Sequence, residues 1–313
     1  MPRIRLARRA TRGAVAVAVL TILGAGTMLY PAGASWFSQL EQSQLTLEYS
    51  VERSADGVAV EREAIGAARA YNDTLLGGAI GDPQDPDSAD GTGEIAKDYR
   101  AQLANDANGV MARIRIPSIA VDLPIYHGTT EETLREGIGH LFGSSLPVGG
   151  IGTHAVLTGH RGLPESMLFT DLDKVVVGDL VQIDVEGETL TYRIVSSAVF
   201  DPTDTEPLLP VAGRDLLTLV TCTPLGINSQ RIFVTAERVE NPPADDPALV
   251  MPDIPGPPWW SVGLASAFLT GASVVTGTAR RREPLPPVHG RHVRGRGGQH
   301  AAPAVLEPSH IYV

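Results

Sequence analysis

Three residues have the chemistry to work together: Cys222, His160 and Arg231. Cys222 is the only cysteine among 313 residues, so no internal disulfide can form. A lone thiol is either an inert buried hydrophobe or a reactive group, and the count alone favours the inert reading. What surrounds it decides. A thiol of ordinary pKa, about 8.5, is thiolate only in small part at neutral pH. An adjacent imidazole can take its proton or hold it as an ion pair, then protonate a leaving amine. A guanidinium stays charged and offers a planar fork of donors, suited to a carbonyl or to the oxyanion made from it. Cysteine, histidine and arginine in one cleft would support acyl transfer through a thioester. Each residue alone is weak evidence. His127, His140 and His154 read as structural or surface groups, and the irregularly spaced His289, His292, His300 and His310 do not make a metal site.

The elements that must position these residues are short strands. Val110–Ile116 alternates apolar and polar residues, and Val121–Tyr126 is a second run. A short strand is expected near 138–142, and Thr153–Thr158 precedes Gly159-His160-Arg161-Gly162. Leu180–Val185 and Thr189–Phe200 flank Glu186-Gly187-Glu188, a hairpin signal. Leu216–Cys222 and Arg231–Val239 flank the eight-residue loop Thr223–Gln230. That makes about eight strands with turn residues between them, which predicts a barrel or sandwich and not a βαβ fold. If the last two strands pair antiparallel, Cys222 and Arg231 lie at one end of the sheet, leaving His160 to reach the same mouth from another strand.

Upstream, residues 35–78 read helical: Ile65, Ala68, Tyr71 and Leu75 fall on one helix face. Residues 77–93 hold many turn formers and acids and no periodic apolar pattern, so they read as a flexible loop. A short helix around Tyr99 and Leu103 is expected to follow.

Thr221-Cys222-Thr223-Pro224, with Gly226, Ile227, Asn228 and Arg231, resembles the cysteine motif of sortases. Leu157-Thr158-Gly159-His160-Arg161-Gly162 resembles their histidine motif. LPIYHGT (123–129), GHLFGSSLPVGG (139–150), LFTDLDKV (168–175) and PTDTEPL (202–208) are similar to the class C, pilus-assembling sortases. The likeness runs from about Gly109 to Val239. It implies a mostly β fold: the eight-stranded sortase β-barrel, with N-terminal helices and two flanking transmembrane helices. It implies an enzyme of a Gram-positive cell envelope that cleaves an LPXTG-like sorting signal between Thr and Gly. Cys222 would carry the acyl-thioester, His160 would be the acid and base, and Arg231 the electrostatic stabiliser. A lysine amine on a neighbouring pilin would resolve the thioester, with hydrolysis as a side reaction. Class C enzymes often carry a lid of Asp-Pro followed by an aromatic residue. Here Asp82-Pro83-Gln84 and Asp85-Pro86-Asp87 supply the acids, Asp82 and Asp85 being the lid candidates, but no aromatic follows either proline. A solvated acidic linker is the plainer reading of 77–93. Two alternatives remain in function: a housekeeping sortase that anchors proteins to cell-wall peptidoglycan, and, more distantly, a non-catalytic membrane-tethered scaffold.

Charge and hydropathy place these parts. Residues 1–12 carry five arginines and no acid, and 13–30 carry no charge. Residues 31–258 hold 14 basic and 34 acidic residues, which argues against nucleic acid as a partner. Residues 259–279 form a second apolar span, opened by Trp259 and Trp260 and stopped by Arg280, Arg281 and Arg282. The positive-inside bias puts both termini in the cytoplasm and the catalytic part outside. Ala32-Gly33-Ala34 offers the competing reading of a cleaved signal peptide. The expected organisation is a basic N-terminus (1–12), a transmembrane helix (13–30), an extracellular helical region (31–108) with a lid-like loop (77–93), and the barrel (109–240). A Pro-rich tether (241–258), a transmembrane helix (259–279) and a disordered cytoplasmic tail (280–313) complete it. The acidic loop lacks the ligand spacing of a known calcium loop, so neither metal nor cofactor is expected. The expected partners are LPXTG-bearing surface or pilin proteins, a pilin lysine and the membrane.

Overall fold

The computed structural model describes residues 11–75, 93–104, 108–252 and 254–280. The lid candidates Asp82 and Asp85, the basic N-terminus before residue 11 and the tail beyond 280 lie outside the described residues.

Eight strands close into one barrel in the order β1-β2-β3-β4-β7-β8-β6-β5. They are β1 Ala112–Ile116, β2 Val121–His127, β3 Ile138–His140, β4 Thr153–Thr158, β5 Leu180–Val185, β6 Glu188–Phe200, β7 Asp215–Thr223 and β8 Gln230–Val239. This is the barrel of the two architectures the strand pattern allowed. Most neighbours are antiparallel, but β2–β3 and β4–β7 run parallel. The expected hairpin joins β5 to β6 across Glu186 and Gly187, both at positive φ (42° and 71°), the geometry whose twist matches paired strands. The inward-facing side chains of Ile114, Ile125, Ile138, Leu157, Ile183, Ile194, Leu219 and Val234 are all fully buried.

Among the described residues three α-helices precede the barrel: α1 Arg12–Asp56, α2 Val58–Thr74 and α3 Gly93–Ala101. Helix α1 is continuous over 45 residues and passes through Pro31. It therefore joins the apolar segment to the helical stretch beyond it without a break. Its far half lies on the barrel: Gln42 Nε2 donates to Glu136 O (3.2 Å), Tyr49 Oη donates to Met111 O (3.3 Å), and Tyr49 Oη accepts from Glu186 N (3.1 Å). On α2, Ile65 and Ala68 are buried as the periodicity predicts. Asn72 makes two bonds with the backbone of Leu146, accepting from its N–H at 2.7 Å and donating to its carbonyl at 3.1 Å. On α3, the buried Tyr99 hydroxyl accepts from Gly128 N (3.0 Å) and lies 2.9 Å from His140 Nδ1. Both helices that flank residues 76–92 are thus fastened to the barrel.

Helix α4, Glu131–Glu136, lies between β2 and β3, and α5, Trp259–Arg280, follows the barrel. Both α1 and α5 are long and apolar enough to cross a membrane. They pack together through small residues: a Cβ on Gly263 would lie 3.1 Å from Leu29, and one on Gly271 3.3 Å from Ala18. Close backbone approach of this kind is how helices associate in lipid. The Pro-rich segment before α5 does not hang free. Trp36 Nε1 donates to Gly256 O (2.7 Å) and Ser43 Oγ to Ile254 O (3.0 Å), so it is laid back along α1.

The histidines set aside as structural are so in the fold. His154 bonds Leu209 O (3.0 Å) and Thr218 Oγ1 (2.7 Å), and His127 Nε2 lies 2.8 Å from Gln102 O. His140 is fully buried, with Nε2 2.8 Å from Ser145 O. Burial lowers its pKa to about 4 and also lowers that of His154. Between about pH 6.5 and about 4 the unfolded chain therefore binds protons that the folded chain refuses, so stability is complete above 6.5 and falls as pH drops. The His140 shift corresponds to roughly 3 kcal/mol. Urea unfolding of the detergent-solubilised protein should show a loss of this order from pH 7 to 4, and His140→Gln should remove the larger part of the slope. An unchanged slope would assign the loss to other groups.

Candidate active site

The site is built from three adjacent strands. In the antiparallel β7–β8 pair, Cys222 lies directly opposite Arg231, a relation that brings side chains on one face within about 5 Å at Cβ. The loop between them, residues 224–229, is shorter than the sequence suggested, because β7 runs on through Thr223 and β8 starts at Gln230. In the parallel β4–β7 pair, Thr158 lies opposite Val220. Two further bonds carry this register beyond the end of β4: Gly159 N donates to Val220 O (3.1 Å) and Thr221 Oγ1 donates to Gly159 O (2.8 Å). His160 is the next residue after Gly159, on the Cys222 side of this pairing. The three candidates therefore belong to the same end of adjacent strands, Cys222 on β7, Arg231 at the start of β8 and His160 two residues past β4, with neighbouring strands about 4.8 Å apart.

Local packing holds each member. A Cβ on Gly159 would lie 2.7 Å from Ile138 and 2.8 Å from the Phe169 ring. Glycine is thus what lets the chain pass between them and present His160. Phe169 N donates to His160 O (3.1 Å), and Arg161 is tied to Asp173, Thr170 O (3.2 Å) and Thr223 Oγ1 (3.3 Å). Leu225, in the loop after Cys222, packs on Gly162. The histidine and cysteine segments are thereby locked to each other. Arg231 is buried, and its Nη1 donates to Asn228 O (2.9 Å) and Gln230 O (3.2 Å), which fixes the start of the fork. Cys222 is also buried, at 9% exposure, while the His160 side chain is 20% exposed. A shielded thiol, a partly open imidazole and a guanidinium, brought into one cleft, can support thiolate formation and proton return, and can stabilise an oxyanion.

One residue near the site went unseen in the sequence. Glu131, the first residue of α4, places Oε2 3.3 Å from His160 Nε2. That nitrogen is shielded from solvent and has no aligned hydrogen-bond partner, so the contact is charge proximity without a formed hydrogen bond. Thr130-Glu131-Glu132-Thr133 carries the signal of a capped helix start, but nothing in its spacing points to residue 160. Among the described residues, no cluster of three or more His, Cys, Asp or Glu suited to a metal ion is present.

The sequence profile of the sortase domain matches residues 114–239, which include all three candidates. Sortase A of Bacillus anthracis is 30% identical over 142 residues, covering 44% of this chain and 66% of the relative, just under two thirds of its length. Among solved structures, sortase C-1 from Actinomyces oris is 45% identical, with a TM-score of 0.56, covering 58% of this chain and 99% of that one. Streptococcus pneumoniae sortase C is 36% identical, with a TM-score of 0.56, covering 63% of this chain and 97% of that one. A closed eight-stranded barrel, the matched domain and this identity across nearly the whole of a solved relative lead to one conclusion: the chain belongs to the sortase family of cysteine transpeptidases.

Proposed function

We propose that the chain is a membrane-anchored, pilus-assembling transpeptidase. It cleaves an LPXTG-like sorting signal through a thioester on Cys222 and transfers the acyl group to a pilin lysine. What supports this most is the pairing of Cys222 with Arg231 across β7 and β8, with His160 just past the end of the adjoining β4. In this reading the Cys222 thiolate attacks the carbonyl of the threonine in the signal. Arg231 stabilises the charge that develops on that oxygen, and His160 delivers a proton to the departing glycine amine. The lysine amine then attacks the thioester, gives up a proton to His160, and releases the thiolate with an isopeptide bond made. Water in place of lysine gives slow hydrolysis.

The pilus assignment is supported by the likeness to S. pneumoniae sortase C, a protein whose structure is described for its pilin substrate specificity. The two apolar helices support anchoring, with both termini in the cytoplasm and the barrel outside. Anchoring to peptidoglycan is the rival reading.

Mass spectrometry of the protein incubated with an LPXTG peptide should find a thioester on Cys222 that Cys222→Ala abolishes. Arg231→Ala should lower kcat about 100- to 1000-fold, the usual cost of losing an oxyanion donor, and Arg231→Lys should not restore it. Normal turnover in Arg231→Ala would remove that residue from the mechanism. With both acceptors offered, a lysine-bearing pilin should be polymerised in preference to a peptidoglycan peptide. Conjugates to the cell-wall peptide alone would decide for the rival.

A further inference from the structure

We propose that Glu131 is a positioning residue for His160, its carboxylate accepting from Nε2–H and leaving Nδ1 to exchange the proton with Cys222. This rests on the reading of Cys222 as nucleophile and His160 as proton carrier. The imidazole must present one definite nitrogen to the sulfur, so its tautomer has to be set from the other side. The far nitrogen here is shielded and lacks an aligned acceptor, and a buried polar atom in that state calls for an explanation. Among the described residues, Glu131 is the carboxylate within ion-pair distance of the ring, at 3.3 Å.

The backbone of α4 is well held. Thr130 Oγ1 caps its start by accepting from Thr133 N (3.2 Å), and Leu134 is buried. The Glu131 side chain is less constrained. It is 57% exposed and pairs with Arg135 at 2.9 Å along the helix surface, an exposed pair of the kind that contributes little. It also lines a cavity of about 620 Å³ between α1 and the segment after His160, bordered by Ser38, Leu163 and Ser166. The carboxylate thus has room to swing from Arg135 into line with the ring nitrogen. A helix fixed in its backbone and free in this one side chain suits an acceptor that tightens as substrate fills the cleft.

The test uses the full-length protein in detergent with an LPXTG peptide and a lysine amine acceptor. Glu131→Ala should lower kcat about tenfold or more, as loss of the carboxylate that orients a catalytic imidazole does, with KM within about twofold. Glu131→Gln keeps an accepting carbonyl and should recover a large part of that loss. Nitrogen-15 spectra of the histidine rings should show His160 as the Nε2–H tautomer in the wild type and as a mixture in Glu131→Ala. Arg135→Gln breaks the same surface pair without touching His160 and should keep the wild-type kcat. An unchanged kcat and tautomer in Glu131→Ala would overturn the proposal, as would an equal loss in Arg135→Gln, which would assign the effect to α4 as a whole. Formation of the Cys222 thioester in the wild type is read separately. If it fails, the assignment of the site fails; if it forms while Glu131→Ala turns over normally, only the role of Glu131 falls.

Discussion

The parallel pairing of β4 with β7 is the constraint on which the rest depends. Parallel neighbours need a long connection, and here the segment between them carries β5, β6 and the loop that closes over His160. A slip of one residue would turn every side chain of β4 to the other face and carry His160 away from Cys222. The pairing is fixed by polar ties at two levels. Deep in the sheet, His154 of β4 bonds Thr218 of β7, and Thr218 lies 3.1 Å from Thr235 of β8, a chain across the same three strands that hold the site. At the mouth, Gly159 and the 220–221 segment exchange bonds in both directions. Polar atoms in such places are costly unless matched, so they penalise wrong registers as well as stabilise the right one.

Satisfied polar groups also decide where the helices sit. Helices α2 and α3 each spend a buried side chain, Asn72 and Tyr99, on barrel backbone or on a histidine beneath it. Apolar contact through Ile65, Ala68 and Leu103 extends the barrel core outward to them, but hydrophobic contact alone has no direction. The hydrogen bonds provide it.

How much of this was legible in the sequence followed the range of the interactions. Alternating apolar residues, the Glu-Gly turn and the strand count are local, and they gave a β architecture with strand ends close to those observed. The antiparallel relation of Cys222 and Arg231 followed from one short connection. The neighbourhood of His160 did not follow from spacing, because a parallel register is a tertiary fact, and it was reached through resemblance to a family. Glu131 stayed hidden for the same reason: a six-residue helix meets the histidine loop only when the barrel closes. The run of α1 through Pro31 was also unexpected, since proline removes one backbone bond and usually interrupts a helix. Segments that cross lipid tolerate such a residue when neighbours compensate, and α5 lies alongside here. The seven prolines before α5 suggested an extended tether, and the indole of Trp36 and the hydroxyl of Ser43 bond two of that segment's carbonyls.

The unbroken α1 fixes more than attachment. The helix that is long and apolar enough to cross a membrane is the same rod that touches the barrel by Ser38 and Gln42, the latter only about 9 Å beyond Trp36 along its axis. No swivel separates anchor from catalyst. In the proposed anchored state the cleft would therefore keep a set altitude and heading above the bilayer.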